Sequence, residues 1–177
     1  MPSPIFESVY PILELVRRNF EPSEVVDSLK VNSGERDFSD NIMTLNGFSV
    51  REGTWLSPNA QSKMALATST SLPAFPVWQD PGAGRTDAQG GITVLQGVWT
   101  IRTNVINLVG LAVGDELSVG ALPANHPVLP SMAAGLVRLA TLAAGSQHLV
   151  VAHVEKIEPA TALITNVTAN YRAAGGV

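Results

Sequence analysis

Apolar residues recur along this chain with two different periods. Between residues 4 and 20, Ile5, Val9, Ile12, Leu13, Val16 and Phe20 stand at helical spacing, with Glu7, Glu14, Arg17 and Arg18 largely on the other side. Ser3 suits an N-cap and Pro4 the first helical position; Pro11 lacks an N–H, so a helix here must kink or restart. Glu21-Pro22-Ser23-Glu24 opens a second short helix through Leu29. Residues 32–44 are polar and read as a linker. From about residue 45 the period becomes two. Asn46-Gly47 is a turn dipeptide, because both residues tolerate positive φ. Phe48 and Val50 then alternate with Ser49 and Arg51, and Trp55-Leu56 and residues 63–68 continue as short strands. Residues 72–78 contain Pro73 and Pro76, which confines them to an edge strand or an extended loop.

Residues 80–84 form a Pro/Gly loop. Residues 92–95 and 98–105 are rich in β-branched side chains and predict strong strands around a Gln96-Gly97 bend. Gly114-Asp115 leads into Leu117-Ser118-Val119, and three prolines make residues 121–134 a long loop. Residues 136–141, 149–157 and 162–168 predict the last strands, and the tail from Ala173 is expected to fray. Turn signals at roughly ten-residue spacing indicate a small barrel or sandwich. The expected fold class is therefore mainly β: a compact barrel or sandwich-like domain with an N-terminal arm containing short helical segments. The expected division is an arm and linker over 1–44, a β-rich domain over 45–170 and a flexible tail over 171–177.

The arm has two readings. It lies on its own domain, or it reaches a neighbouring subunit, in which case Ile5, Phe6, Val9, Leu13 and Val16 are its contact residues. Arg85 and Asp87, on the Gly-rich turn, are candidates for pairing across a subunit interface.

Only 15% of the residues are charged, against about 25% in ordinary soluble domains. Partner chains covering the surface, or a surface rich in Ser, Thr and Asn, would each account for that. The net charge of −4, with no basic run beyond Arg17-Arg18, argues against nucleic acid as a partner. No stretch reaches the roughly 18 apolar residues of a membrane-spanning helix. Glu7 and Glu14 in the apolar N-terminal region, with no leading Lys or Arg, do not fit a signal peptide. The chain is expected to be made and folded in the cytoplasm of its producer. With no cysteine, disulfides and thiolate chemistry are excluded.

Motifs for catalysis are wanting. His126, His148 and His153 form no metal-ligand spacing, and on a strand the last two, five apart, fall on opposite faces. No Gly-x-Ser-x-Gly elbow is present. Gly82-Ala83-Gly84-Arg85-Thr86 fails as a phosphate loop because Gln79 stands where the first Gly belongs and strand follows. Asn166-Val167-Thr168 matches a glycosylation sequon, a motif common by chance. Trp55, Trp78 and Trp99 are expected as core or interface anchors; two exposed ones would instead suit a sugar platform. No catalytic, cofactor or metal residue is assigned, and the chain is expected not to be an enzyme.

From about residue 47 to 168 the order of features resembles a known group. Gly53-Thr54-Trp55-Leu56 leads to Lys63-Met64-Ala65, then Pro73-Ala74-Phe75-Pro76-Val77-Trp78 and Gly84-Arg85-Thr86-Asp87. Gly91-Ile92-Thr93-Val94-Leu95-Gln96-Gly97 and Thr100-Ile101-Arg102-Thr103 follow, then Val113-Gly114-Asp115-Glu116-Leu117-Ser118-Val119 and Leu149-Val150-Val151-Ala152-His153-Val154-Glu155-Lys156. This succession resembles the head decoration (cement) proteins of tailed bacteriophages. The resemblance implies a β-barrel or β-tulip domain that sits on the outer capsid surface of the virion. Such proteins bind expanded shells, commonly as homotrimers, and clamp adjacent major capsid subunits; no catalytic residue transfers. The alternatives are another virion subunit (tail tube, head fibre or baseplate) or a β-barrel module for a small ligand or glycan.

Overall fold

The computed structural model describes residues 11–18, 25–30, 36–37, 42–45, 48–60, 64–71, 73–78, 91–96, 99–128 and 134–176. Within them the protein is mainly β, built from antiparallel sheets. The principal sheet has six strands in the order β1 (Leu13–Arg18), β10 (Trp99–Thr103), β14 (Ala162–Ala174), β13 (Gln147–Ile157), β11 (Glu116–Gly120), β12 (Gly135–Arg138). A second layer pairs β7 (Met64–Leu66), β6 (Trp55–Pro58) and β8 (Phe75–Pro76). A bridge from Val77 to Val94 links it to β9 (Gly91–Leu95), which pairs with β2 (Val25–Lys30). The short strands β3 (Arg36–Asp37), β4 (Ile42–Leu45) and β5 (Phe48–Ser49) form a separate meander.

Burial explains the sequence pattern. In β13 Leu149, Val150, Val151 and Ala152 are all buried, so this strand reads as an unbroken apolar run because it is covered on both faces. In β10 Trp99 and Ile101 pack into the main core with Leu117, Leu136 and Ile164, while Arg102 stays at the surface. Trp55 and Ala74 of the second layer join the same core, which is what holds the layers together. A smaller cluster of Val50, Leu56, Met64, Val77 and Val94 lies within the second layer.

The principal sheet also closes on itself. The chain bends after β10, and Ile106 makes a parallel bridge to Leu136 of β12. Leu136 N–H donates to Val105 O at 2.9 Å, and Asn107 N–H donates to Leu136 O at 2.8 Å. The route β10–β14–β13–β11–β12 thus returns to the continuation of β10, removing one sheet edge. Gly135 is required at this seam, because a Cβ there would come 2.6 Å from Val105 O.

Several local expectations are corrected. Residues 13–18 of the expected first helix form β1, with Leu13 paired to Thr103 and a bulge between Leu15 and Arg17. Leu13 gains burial against the sheet, which outweighs weak helix propensity in a segment broken by Pro11. The second expected helix is strand from Val25, where two adjacent valines favour β pairing with β9. The polar linker contains β3 and β4, and Leu45 pairs with Phe48 on either side of Asn46-Gly47, which itself lies outside the described residues. The tail is strand through Ala174, and Gly175 N–H donates to Ser146 O at 3.1 Å. Residues 139–141 form a 3₁₀ turn rather than the end of a strand.

Candidate interaction surface

On the outer face, charged side chains meet one another across strands. Arg102 on β10 reaches Glu14 of β1 at 2.6 Å and Glu158, beyond β13, at 2.9 Å. Lys156 lies 3.1 Å from the same Glu158, and Thr161 Oγ1 donates to it at 2.9 Å. Arg102 foremost, then Thr161 and Lys156, pulls the Glu158 carboxyl down from 4.5 to about 2. Glu158 in turn raises the Arg102 guanidinium, with Glu14 adding to it. Exposed pairs of this kind contribute little each, but a shared Arg fixes the register of β1 on β10.

A second group joins β11, β13 and β14. The Tyr171 hydroxyl donates to Glu116 and lies 3.3 Å from His153 Nε2. Partial burial, and then the hydrogen bond to Glu116, pushes the phenol up to about 12. These contacts tie β14 to β11 and β13 through their side chains. Beside it, Thr165 donates to Glu155 and its oxygen lies 2.8 Å from that of Thr100.

The loop between β10 and β11 has the opposite character. Val109 is 79% exposed and Val113 66%. Leu108 and Leu111 anchor this loop by packing against the main core. Its backbone is held at several points. Asn107 Oδ1 accepts Val109 N–H at 3.1 Å, Asp115 Oδ2 accepts Ala112 N–H at 2.8 Å, and Gly114 N–H donates to Val154 O at 2.8 Å. Arg138 Nη1 donates to Gly110 O at 2.8 Å, and Gly110 and Gly114 take the positive φ values of 68° and 90° that the turns need. Two bare valines on a preformed loop suit docking, since little conformational entropy remains to be lost.

Next to this loop lies a groove of about 340 Å³, where Ile106, Leu108 and Pro123 stand beside the polar Asn104, Asn125 and His126. His126 fixes one wall: its Nε2 lies 3.0 Å from Ile106 O, and its Nδ1 accepts Val128 N–H at 3.3 Å. A smaller cavity of about 230 Å³ opens between the layers beside Trp55, Phe75, Asn166 and Asn170.

Of the residues expected at a partner interface, Leu13 is 4% exposed and belongs to the chain's own core, whereas Val16 on β1 is 41% exposed. Ile5, Phe6, Val9, Arg85 and Asp87 lie outside the described residues. His148 is buried with Nε2 3.2 Å from Ala143 O, and His153 is at the surface. Among the described residues no group of three or more acidic or histidine side chains is placed to hold a metal. Trp55 and Trp99 are buried at 4% and 1%, and Trp78 packs against the same core, so they form no sugar-stacking platform. Val109 and Val113 were missed by sequence reasoning. Their signal was an apolar run, Leu108 to Val113, broken only by Gly110 and showing no strand alternation. Comparison with protein-family models, with curated proteins and with solved structures returned no match.

Proposed function

We propose that this chain is a structural virion protein that binds the outer surface of an expanded phage capsid and cements adjacent major capsid subunits, self-associating as a trimer. The observation that carries the reading is the preformed loop with Val109 and Val113 bare to solvent, on a β body whose neighbouring charges are engaged with each other. Such a surface favours a broad protein contact over a charged or reactive ligand. The sequence resemblance over residues 47–168 supplies the identity of the partner. Other virion subunits share these physical requirements and differ in what they touch. Co-sedimentation with expanded and unexpanded shells of the phage that encodes the chain separates them. Binding to expanded shells alone is the expected result, and binding to neither form excludes the cement role.

A further inference from the structure

The cavity between the two layers combines aromatic side chains, positioned amides and one buried donor. Trp55 and Phe75 line it from the second layer and Trp99 from the principal sheet, while Gln96, Asn166 and Asn170 add amide groups. Its lining holds no charged side chain. Trp99 is 1% exposed, and its indole Nε1 is buried with no hydrogen-bond partner among the described residues. A donor buried in this way carries a desolvation cost that a bound acceptor would offset. Two of the amides are held in place. Asn166 Oδ1 accepts Trp99 N–H at 2.9 Å. Asn170 Nδ2 donates to Ala74 O at 3.1 Å, which leaves Oδ1 as the acceptor that this side chain can offer. The volume of about 230 Å³ sets the size of a ligand. A cavity of about 150 Å³ takes a benzene ring, so this one has room for a single ring with a short polar substituent. Trp55 and Phe75 supply aromatic side chains against which such a ring can pack.

We propose that this cavity is a binding site for a small neutral aromatic carboxamide, whose carbonyl oxygen accepts a hydrogen bond from Trp99 Nε1 and whose amide N–H donates to Asn170 Oδ1. A carboxamide suits both groups because it carries an acceptor and a donor side by side. A carboxylate offers acceptors only, and it would bring a charge into a lining that has none to meet it. A bare hydrocarbon ring would leave the Trp99 donor unsatisfied. The site lies within the free chain and does not depend on the capsid reading.

The indole N–H resonances of isotope-labelled full-length protein test this, with benzamide as the probe. The chain has three tryptophans, and the Trp99 resonance is the one that disappears in Trp99→Phe. Benzamide should move it downfield and saturably, with a Kd in about the millimolar range expected of so small a ligand. The resonance of Trp78, which does not line the cavity, should stay in place. Benzoate and toluene, which lack the neutral carboxamide, should each bind about tenfold or more weakly than benzamide. In Trp99→Phe, benzamide should also lose about tenfold or more in affinity, read from the Trp55 resonance, while toluene loses none. Asn170→Ala, at a partly exposed position, is the second variant and should weaken benzamide severalfold while leaving toluene unchanged. Absence of a saturable shift at Trp99 well above the millimolar range would overturn the proposal. Equal affinities for benzamide and benzoate, or an unchanged benzamide affinity in Trp99→Phe, would overturn it as well.

Discussion

Trp99 fills the gap between the two layers, its ring centroid 6.3 Å from that of Trp55 and only 1% of its surface exposed. Truncation to alanine leaves a large cavity, and Trp99→Ala should lower unfolding stability by about 3–5 kcal/mol. Its indole Nε1 is buried with no hydrogen-bond partner among the described residues, so Trp99→Phe loses volume but none of the described bonds and should cost clearly less. Urea denaturation of the two variants measures the difference. Glu158 makes a separate prediction. Its folded carboxyl lies near 2 against 4.5 unperturbed, so its contribution is present above the unperturbed value and lost as pH falls toward 2. Melting temperatures scanned through that window should fall more steeply for the wild type than for Glu158→Gln. Equal slopes would show that the Arg102 contact adds nothing to stability.

Among the elements, β1 is the instructive one. The apolar spacing of Ile12, Leu13 and Val16 looks helical because it mixes the two faces of a strand: Ile12 and Val16 are exposed, whereas Leu13 is buried and Leu15 packs against the core. The core-facing pair stands at a period of two, and the apolar residues on the other face hide it. The apolar runs of β9, β10 and β13 and the Gly114-Asp115 lead into β11 were legible because burial and turn chemistry agreed there. The sheet order was not, since pairing β1 with β10 depends on contacts nearly ninety positions apart, such as Glu14 with Arg102 at a separation of 88. The consequence for truncation is sharp. Removing residues 1–10 should leave the melting transition cooperative. Removing residues 1–20 also takes Leu13 from the core and Glu14 from Arg102, and should destabilise by about 2–5 kcal/mol, comparable to a buried leucine deletion. Calorimetry of the two truncations separates an appendage from a structural strand.

For the molecule as a whole, the surface best suited to a partner was the least legible part. Exposure depends on which loops the sheet leaves uncovered, and nothing in Leu108-Val109-Gly110-Leu111 says that alternate residues are anchored and bare. Val113→Asp tests whether that surface matters. The side chain is 66% exposed, so stability should change by no more than about 0.5 kcal/mol. Binding to expanded shells should nevertheless weaken at least tenfold, a change visible in co-sedimentation.

The place of β14 has a consequence for biosynthesis. It lies between β10 and β13 in the sheet, yet it follows both in the chain. A nascent chain that has released β10 and β13 still lacks the strand that joins them, and their apolar faces wait for a central partner. Folding of the principal sheet therefore follows translation of Ala174 rather than accompanying it. A ribosome stalled before Ala162 holds two unpaired strand edges that invite association with other chains.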